Sequence, residues 1–571
     1  MIDTRHYHRE LEYLRSRAAE FSRAHPAVAP LLSGPSSDPD VERLLEGTAY
    51  LVGELAQQLD ESYDLLAENL LELVLPQLLR DIPSCTVMQF TPKPSLSEIL
   101  VIPKGSRMAA DAIEGVSCIF STISPVELAP LRLDAVTMDS RPGRQVSLRL
   151  DFVMTAPQAF SSISRLRLHL HGSRPGTLQR LYILLRHTAR LLFHAGQAER
   201  ALPASALRPV GLEPEEGLFP YPATALPCYR LLQEYYIFPE KFFFLDIQMP
   251  NFATDGKGVE RFSCTIELRQ PGQDELPAFT RDDFALFATP AVNLFPYETI
   301  PIRADHRQEN YLVRANTSKA DAYVPYLIES VKGVGSGAEN LYSSLLAQDR
   351  DPSHPFYKTR YLRDENGRRE MELLLSYPPD GPMPETDVLS LNVLYSNGDL
   401  PSRLKIGDVR LPLSSSPTMA EFANLTQPTP SAPAPAQGNA LWSMLAHLHL
   451  NYLPLADAET LRAMLLVYLP KKTDALIFGA NKKRIDSILS LDAKVTDYIW
   501  KGRPVRGTDL TLTLDESGFS NTGDMYFFAM IIASFLHEYS SINSFVSVTA
   551  TDNMNKNRFR WLKHMKNLVS P

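Results

Sequence analysis

The stretch Val41-Glu-Arg-Leu-Leu-Glu-Gly-Thr-Ala-Tyr-Leu-Val-Gly-Glu-Leu-Ala-Gln-Gln-Leu59 sets how the chain begins. Val41, Leu44, Leu45, Thr48, Val52, Leu55 and Leu59 recur at helical spacing and so line one stripe of an amphipathic helix. Asp38 is a suitable N-cap and Pro39 suits the first helical position. Toward the N-terminus, Tyr7, Leu11, Leu14, Ala18 and Phe21 form a second seam. It closes at His25-Pro26, because the residue before a proline resists the α conformation. A loop rich in proline and serine, 30–39, joins the two helices, and a leucine-rich third run over 65–75 continues to Pro76. These stripes carry more apolar surface than one antiparallel pair covers. They pack either on the chain's own β domains or in a bundle with another chain, and spacing alone leaves both open.

Beyond Pro83 the period changes from helical to alternating. Val146–Phe152 and Leu166–Leu170 place apolar residues at every second position, the mark of half-buried strands. A helix is expected over 177–193, and another possible one over 338–346 after Gly333-Val-Gly335-Ser-Gly337. The C-terminal part reads as helices at 440–447 and 458–468, a strand at 510–514 and a helix at 525–539. No period of 20–50 residues recurs, which excludes a solenoid or propeller.

A chain of 571 residues exceeds what one core supports, and a prior of roughly 150 residues per domain gives about four. Prolines number 45 against 27 glycines, so extended connections are plentiful and phosphate-cradling loops are poorly supplied. Gln427-Pro-Thr-Pro-Ser-Ala-Pro-Ala-Pro-Ala-Gln437 reads as an extended linker. The net charge of −9 provides no global attraction to nucleic acid or anionic lipid. The polar N-terminus does not read as a secretory signal, and the longest apolar run, Met525–Leu536, is too short to span a bilayer. The four cysteines are scattered, which fits a reducing cytosol better than a disulfide scaffold.

The candidate chemistry is thin. His537-Glu538 lacks the second histidine of a zinc protease helix, since Ser541 stands there. His169-x-His171 and His447-x-His449 each put two imidazoles on one strand face, without a carboxylate or thiol cluster to complete a metal site. Asp282 and Asp283 are neighbours in sequence, so on a strand they would face opposite ways, a poor acid/base pair. Between Lys556 and Lys566 lie five cations with Phe559 and Trp561, a footprint for RNA or an acidic partner, or simply a solvated basic end. No catalytic or cofactor-binding set emerges, and that favours an assembly part over an enzyme.

Longer strings carry more information. Tyr7-His-Arg-Glu-Leu-Glu-Tyr-Leu-Arg15, Glu20-Phe21 with His25-Pro26, and Asp38-Pro-Asp-Val-Glu-Arg-Leu-Leu-Glu-Gly47 open the series. Leu59-Asp60-Glu61, Leu70-Leu71-Glu72-Leu73 and Tyr229-Arg-Leu-Leu-Gln-Glu-Tyr-Tyr-Ile-Phe-Pro-Glu-Lys-Phe242 follow. Thr289–Phe295, Asn397-Gly-Asp-Leu-Pro401, His447–Leu453, Arg506-Gly507 and Ser541–Phe545 complete it. In this order the strings resemble the TssF family of type VI secretion baseplate subunits (also called VasA or ImpG). His449 stands where that family favours serine, and Gly398 also departs from its pattern.

The resemblance implies an α+β, multidomain fold related to phage baseplate wedge proteins, with an N-terminal helical arm followed by β-rich and mixed α/β lobes. It implies a structural, non-enzymatic wedge subunit that is cytoplasmic in a bacterium and recruited to the inner-membrane-anchored complex. Two copies would join one TssG; TssE, TssK through TssG, and the VgrG spike would complete the partners, with no nucleic acid, cofactor or membrane insertion. The expected edges are 1–85 (helical arm), 86–250 (β-rich), 251–435 (mixed, ending in the linker) and 436–571 (α+β). The expected intersubunit face is Tyr7, Leu11, Leu14, Phe21, Leu44, Leu55 and Leu59. Rival readings are a phage-type tail wedge protein and a hydrolase with a dispersed site.

Overall fold

The computed structural model describes residues 4–25, 39–141, 145–222, 227–252, 258–269, 275–334, 339–345, 347, 353–364, 367–378, 386–435, 457–470, 474–500, 503–538, 545–554 and 557–562. The chain divides into two compact units. One comprises 1–79 with 436–449, and the other 80–435 with 450–571.

The first unit is built on α1 (Thr4–Ala24) and α2 (Pro39–Val74), the two helices that the apolar seams call for. Asp40 and Glu42 in the first turn of α2 complement its helix dipole. Gly53 is buried where α1 begins. A Cβ there would lie 3.2 Å from the Tyr7 backbone nitrogen, so glycine permits a close approach of the two helices. At the other end of the pair, Arg15 contacts Glu42. The joining loop and the Asp38 cap lie outside the described residues.

The second unit is dominated by sheets whose strands come from distant parts of the sequence. The six-stranded sheet runs in the order Val409–Pro412, Arg107–Ala110, Ile119–Thr122, Ala288–Val292, Cys85–Pro92, Ala420–Asn424. Its strands thus come from both sides of the edge expected at residue 250. A five-stranded sheet is centred on Arg261–Leu268, between Thr188–Ala195 and Ser147–Met154. A four-stranded one places Arg165–Leu170 between Phe244–Gln248 and Phe284–Leu286. An eight-stranded sheet gathers strands between Phe295 and Ser396 over a core of Tyr342, Met371, Leu373, Leu391 and Tyr395. The C-terminal sheet orders Ile488–Trp500, Arg503–Leu514, Phe545–Asp552, Arg558–Leu562. Its middle pair is parallel, and the crossover contains the apolar helix α7 (Thr522–Glu538).

Among the described residues, five helices belong to this unit: α3 (Arg174–His187), α4 (Pro227–Ile237), α5 (Ala458–Tyr468), α6 (Ala475–Asp486) and α7. Two expectations are corrected. The helix expected over 177–193 ends at His187, and Thr188–Ala195 is a strand paired with Arg261–Leu268. Leu191-Leu192-Phe193 is apolar at consecutive positions, so either period accommodates it, and pairing with Ile266, Thr265 and Cys264 selects the strand. The helix expected over 338–346 is instead the strand Glu339–Ser344, with Tyr342 opposite Val331. An aromatic set against a β-branched residue across two strands favours the sheet. The 440–447 helix lies outside the described residues.

The described part of the proline-rich stretch is tied down. Leu425 N donates to Val87 O, Thr429 N to Cys85 O and Ala432 N to Ile82 O, so 425–432 runs beside the first strand.

Candidate functional site: interface helices and buried charge clusters

On α1, Leu11 is buried, and Tyr7 and Leu14 are half-buried against the helix pair, whereas Phe21 is 50% exposed. On α2, Leu44, Leu55 and Leu59 are 71, 65 and 56% exposed, which is unusual for leucine on an ordered helix. Leu51, Leu66, Leu70 and Leu73 are also exposed and continue the same face by steps of three, four and seven. The resulting stripe from Leu44 to Leu73 is about 44 Å long at ~1.5 Å per residue. Leu51 and the three leucines beyond residue 60 are members that the spacing argument did not single out; the leucine density of 65–75 was the signal for the latter three.

The block Tyr229–Phe242 folds as α4 followed by the 3-10 turn Pro239–Phe242. Its polar residues turn inward. Glu234 has no exposed surface, and Oε1 accepts from Leu218 N at 2.7 Å and the Tyr221 hydroxyl at 3.0 Å. Oε2 accepts from Arg230 Nη1 at 3.2 Å and from Lys241 Nζ. Arg230 and Lys241 are themselves 2% and 1% exposed, and Arg230 Nη2 also reaches Leu212 O at 2.8 Å. Burial lowers Lys241 to about 8 against the opposing pull of Glu234. The sequence leaves open whether Glu240 and Lys241 pair locally or across subunits; Lys241 pairs within the chain, with Glu234. Gly211, at φ +99°, sits over it, where a Cβ would meet Lys241 O at 2.9 Å.

A second clamp joins α6 to α7. Arg484 donates Nε and Nη2 to the Asp524 carboxylate at 2.9–3.1 Å, and Asp524 also accepts from Ser520 N and Oγ at 3.1 Å. Asp283 is used in the same way, held by Arg180 at 2.8 Å and capping Thr280. His169 is 1% exposed, with its ring 4.5 Å from Phe244 and 6.2 Å from His171. Burial, reinforced by His171, holds it neutral down to about 3. Among the described residues no group of three or more His, Cys, Asp or Glu could hold a metal ion; His447 and His449 lie outside them. Burial pushes the thiols of Cys85, Cys118 and Cys264 up, away from the reactive thiolate form.

A cleft of about 850 Å³ opens in the second unit beside Arg80, Asp81, Tyr326, Arg363 and Arg369. Four of its carboxylates pair with arginines: Asp81 with Arg363 and Arg369, Glu114 with Arg403, Asp321 with Arg368 and Glu370 with Arg314. Such pairing occupies these carboxylates and leaves them poorly placed as nucleophiles. In the basic C-terminal stretch, Phe559 is buried and Phe559 and Trp561 pack on Tyr526, with ring centres 5.2 and 5.5 Å away. These aromatics therefore serve the lobe's own packing. No helix of the described residues is long and apolar enough to cross a membrane.

An α+β chain of several sheets, rigidified by buried ion clusters and bearing a long uncovered helical stripe, is the build of a multidomain assembly protein. The family model described as Type VI secretion system, TssF matches residues 4–567, and the chain belongs to that family. It is 29% identical to the type VI secretion system component TssF1 of Pseudomonas aeruginosa strain PAO1, over 97% of each chain. Among solved structures it resembles a chain of the type VI secretion TssK-TssF-TssG baseplate subcomplex, with a TM-score of 0.79 and 26% identity, covering 93% of this chain and 100% of that one. A chain of a type VI secretion baseplate complex shares the fold at a TM-score of 0.62 and 22% identity, with full coverage of both.

Proposed function

We propose that this chain is a non-enzymatic structural subunit of the type VI secretion baseplate wedge. Two copies join one TssG, and the α1–α2 arm enters a helical bundle with the other copy and with TssG. TssK engages through TssG, TssE and the VgrG spike bind the assembled wedge, and the platform so formed carries the tail tube and sheath. The wedge forms in the cytoplasm and is recruited to the inner-membrane-anchored complex. The observation that carries this reading is the uncovered stripe Leu44–Leu73 on α2. A stripe of this length is costly in water, at ~25 cal/mol per Å² of apolar surface, and burial in a bundle removes that cost. Membership in the TssF family and the likeness to a chain of the TssK-TssF-TssG subcomplex support the choice of partners.

The test uses side chains that the helix pair itself does not need. Leu11 is buried, so aspartate there would disturb α1–α2 packing, whereas Leu55 and Leu59 are exposed. L55D/L59D is expected to leave the chain folded and soluble while abolishing co-purification with TssG. Retention of the complex at wild-type yield would remove the arm from the interface.

A further inference from the structure

The C-terminal sheet ends on one side in a 13-residue strand, Ile488–Trp500, which among the described residues pairs only with Arg503–Leu514. Its start is covered, with Ile488 and Leu491 buried and Arg462 Nη1 donating to Ile488 O at 3.0 Å. From Asp492 onward the side chains are open: Asp492, Ala493, Lys494 and Val495 are exposed, and Val495 is 55% exposed. Half of the backbone groups of an edge strand point outward and can template another strand.

Alternation sorts this edge into two faces. Ser490, Asp492, Lys494 and Thr496 lie on one; Leu491, Ala493 and Val495 lie on the other. The polar face is already ordered, since Ser490 Oγ donates to Asp492 Oδ2 at 3.1 Å and Thr496 Oγ1 to Asp509 Oδ2 at 3.0 Å. Lys494 has no ion-pair partner among the described residues.

We propose that the segment Ser490–Thr496 pairs antiparallel with the same segment of a second copy of this chain, about a two-fold axis at Ala493. In this register Asp492 faces Lys494 of the other copy twice over, Ser490 faces Thr496, and Leu491 faces Val495. Every pair on the polar face is then polar and every pair on the other face is apolar. A two-fold axis one residue earlier would set Asp492 against Asp492, and one residue later Lys494 against Lys494. Charges on an edge strand ordinarily deter strand addition. Here their spacing admits one partner, a strand with the same sequence running the other way. The pairing would join the two four-stranded sheets into one of eight strands, and it stands independently of the helical stripe proposed above.

Directly opposed residues in an antiparallel ladder have Cα atoms about 4.5–5.5 Å apart, within the span of a disulfide. Full-length A493C, with the four native cysteines buried, is therefore expected to form disulfide-linked dimers under mild oxidation. Their yield should exceed at least tenfold that of an exposed control such as E199C. K494D should lower the A493C yield at least tenfold, and D492K/K494D, which reverses both charges, should restore it. V495C should cross-link less than A493C, because its neighbour across the axis is Leu491. Cross-linking of A493C no better than the control, or indifferent to K494D, overturns the pairing. Equal yields from V495C and A493C overturn the register. L55D/L59D should leave the A493C yield unchanged.

Discussion

At the scale of the residue, the determining feature of the second unit is charge placed where water is absent. Glu234 satisfies two buried cations, one backbone N–H and one hydroxyl at once. Removing its charge leaves Arg230 and Lys241 buried without a counter-ion, and breaking a buried pair from one side costs about 3–5 kcal/mol. E234Q should therefore destabilise the chain by about that amount. K241M should cost less, because Glu234 would keep Arg230, Leu218 N and Tyr221. Denaturant titration of the two variants checks the order; a K241M loss as large as that of E234Q would contradict it. His169 supplies a pH dependence. Its native value of about 3 lies below the ~6.5 of an unfolded chain. Between those values the unfolded state binds more protons, so stability falls as pH drops through that window, by about 1.4 kcal/mol per pH unit from this group. H169F should flatten the pH slope of the unfolding midpoint between pH 6.5 and 4; an unchanged slope would mean that His169 protonates without unfolding.

At the scale of the element, the long amphipathic helices and the alternating strands were legible because one period dominates each. The α5 helix falls where its leucine pattern places it, and Leu510–Leu514 lies within the strand Arg503–Leu514. Elements were misread where a short apolar run fits both periods, as at Leu191-Leu192-Phe193, or where a glycine-rich sequence resembled a helix entry, as before Glu339. Of the candidate interface, spacing identified Leu44, Leu55 and Leu59, which are exposed, but grouped them with Leu11, which is buried. One-dimensional periodicity marks an apolar face without saying which of its residues the adjacent helix covers. The Glu234 cluster escaped the sequence because Leu218 and Tyr221, from before α4, and Lys241, from the turn after it, meet on Glu234 only once the chain is folded, as Leu212 does on Arg230.

At the scale of the whole molecule, the second unit is held by contacts between segments hundreds of residues apart, and Asp81 is where three of them meet. Its Oδ1 accepts from Arg363 Nη2 at 3.0 Å, Arg369 Nη1 at 2.8 Å and Ala434 N at 2.9 Å. Arg369 stacks over Tyr361, whose hydroxyl accepts from Arg80 Nε at 3.2 Å and donates to Tyr326 O at 3.1 Å. The segment at 80–83, the Phe356–Ser376 hairpin and the proline-rich stretch thus share one acceptor. Proline favours an extended chain at little entropic cost, but the four prolines of that stretch cannot donate a backbone hydrogen bond; Thr429, Ala432 and Ala434 supply the donors. D81A removes the acceptor of one of these three donors together with the charge that holds two arginines. Because Asp81 is partly exposed, the loss should be about 2–3 kcal/mol, less than for a fully buried pair. The expected signature is local: amide exchange should rise at Ile82, Ala432 and Ala434, while the Arg503–Leu514 strand keeps its protection. Uniform acceleration across both regions would instead mean that Asp81 supports the unit as a whole, and no change at Ala432 would mean that the strand Cys85–Pro92 alone retains the proline-rich stretch.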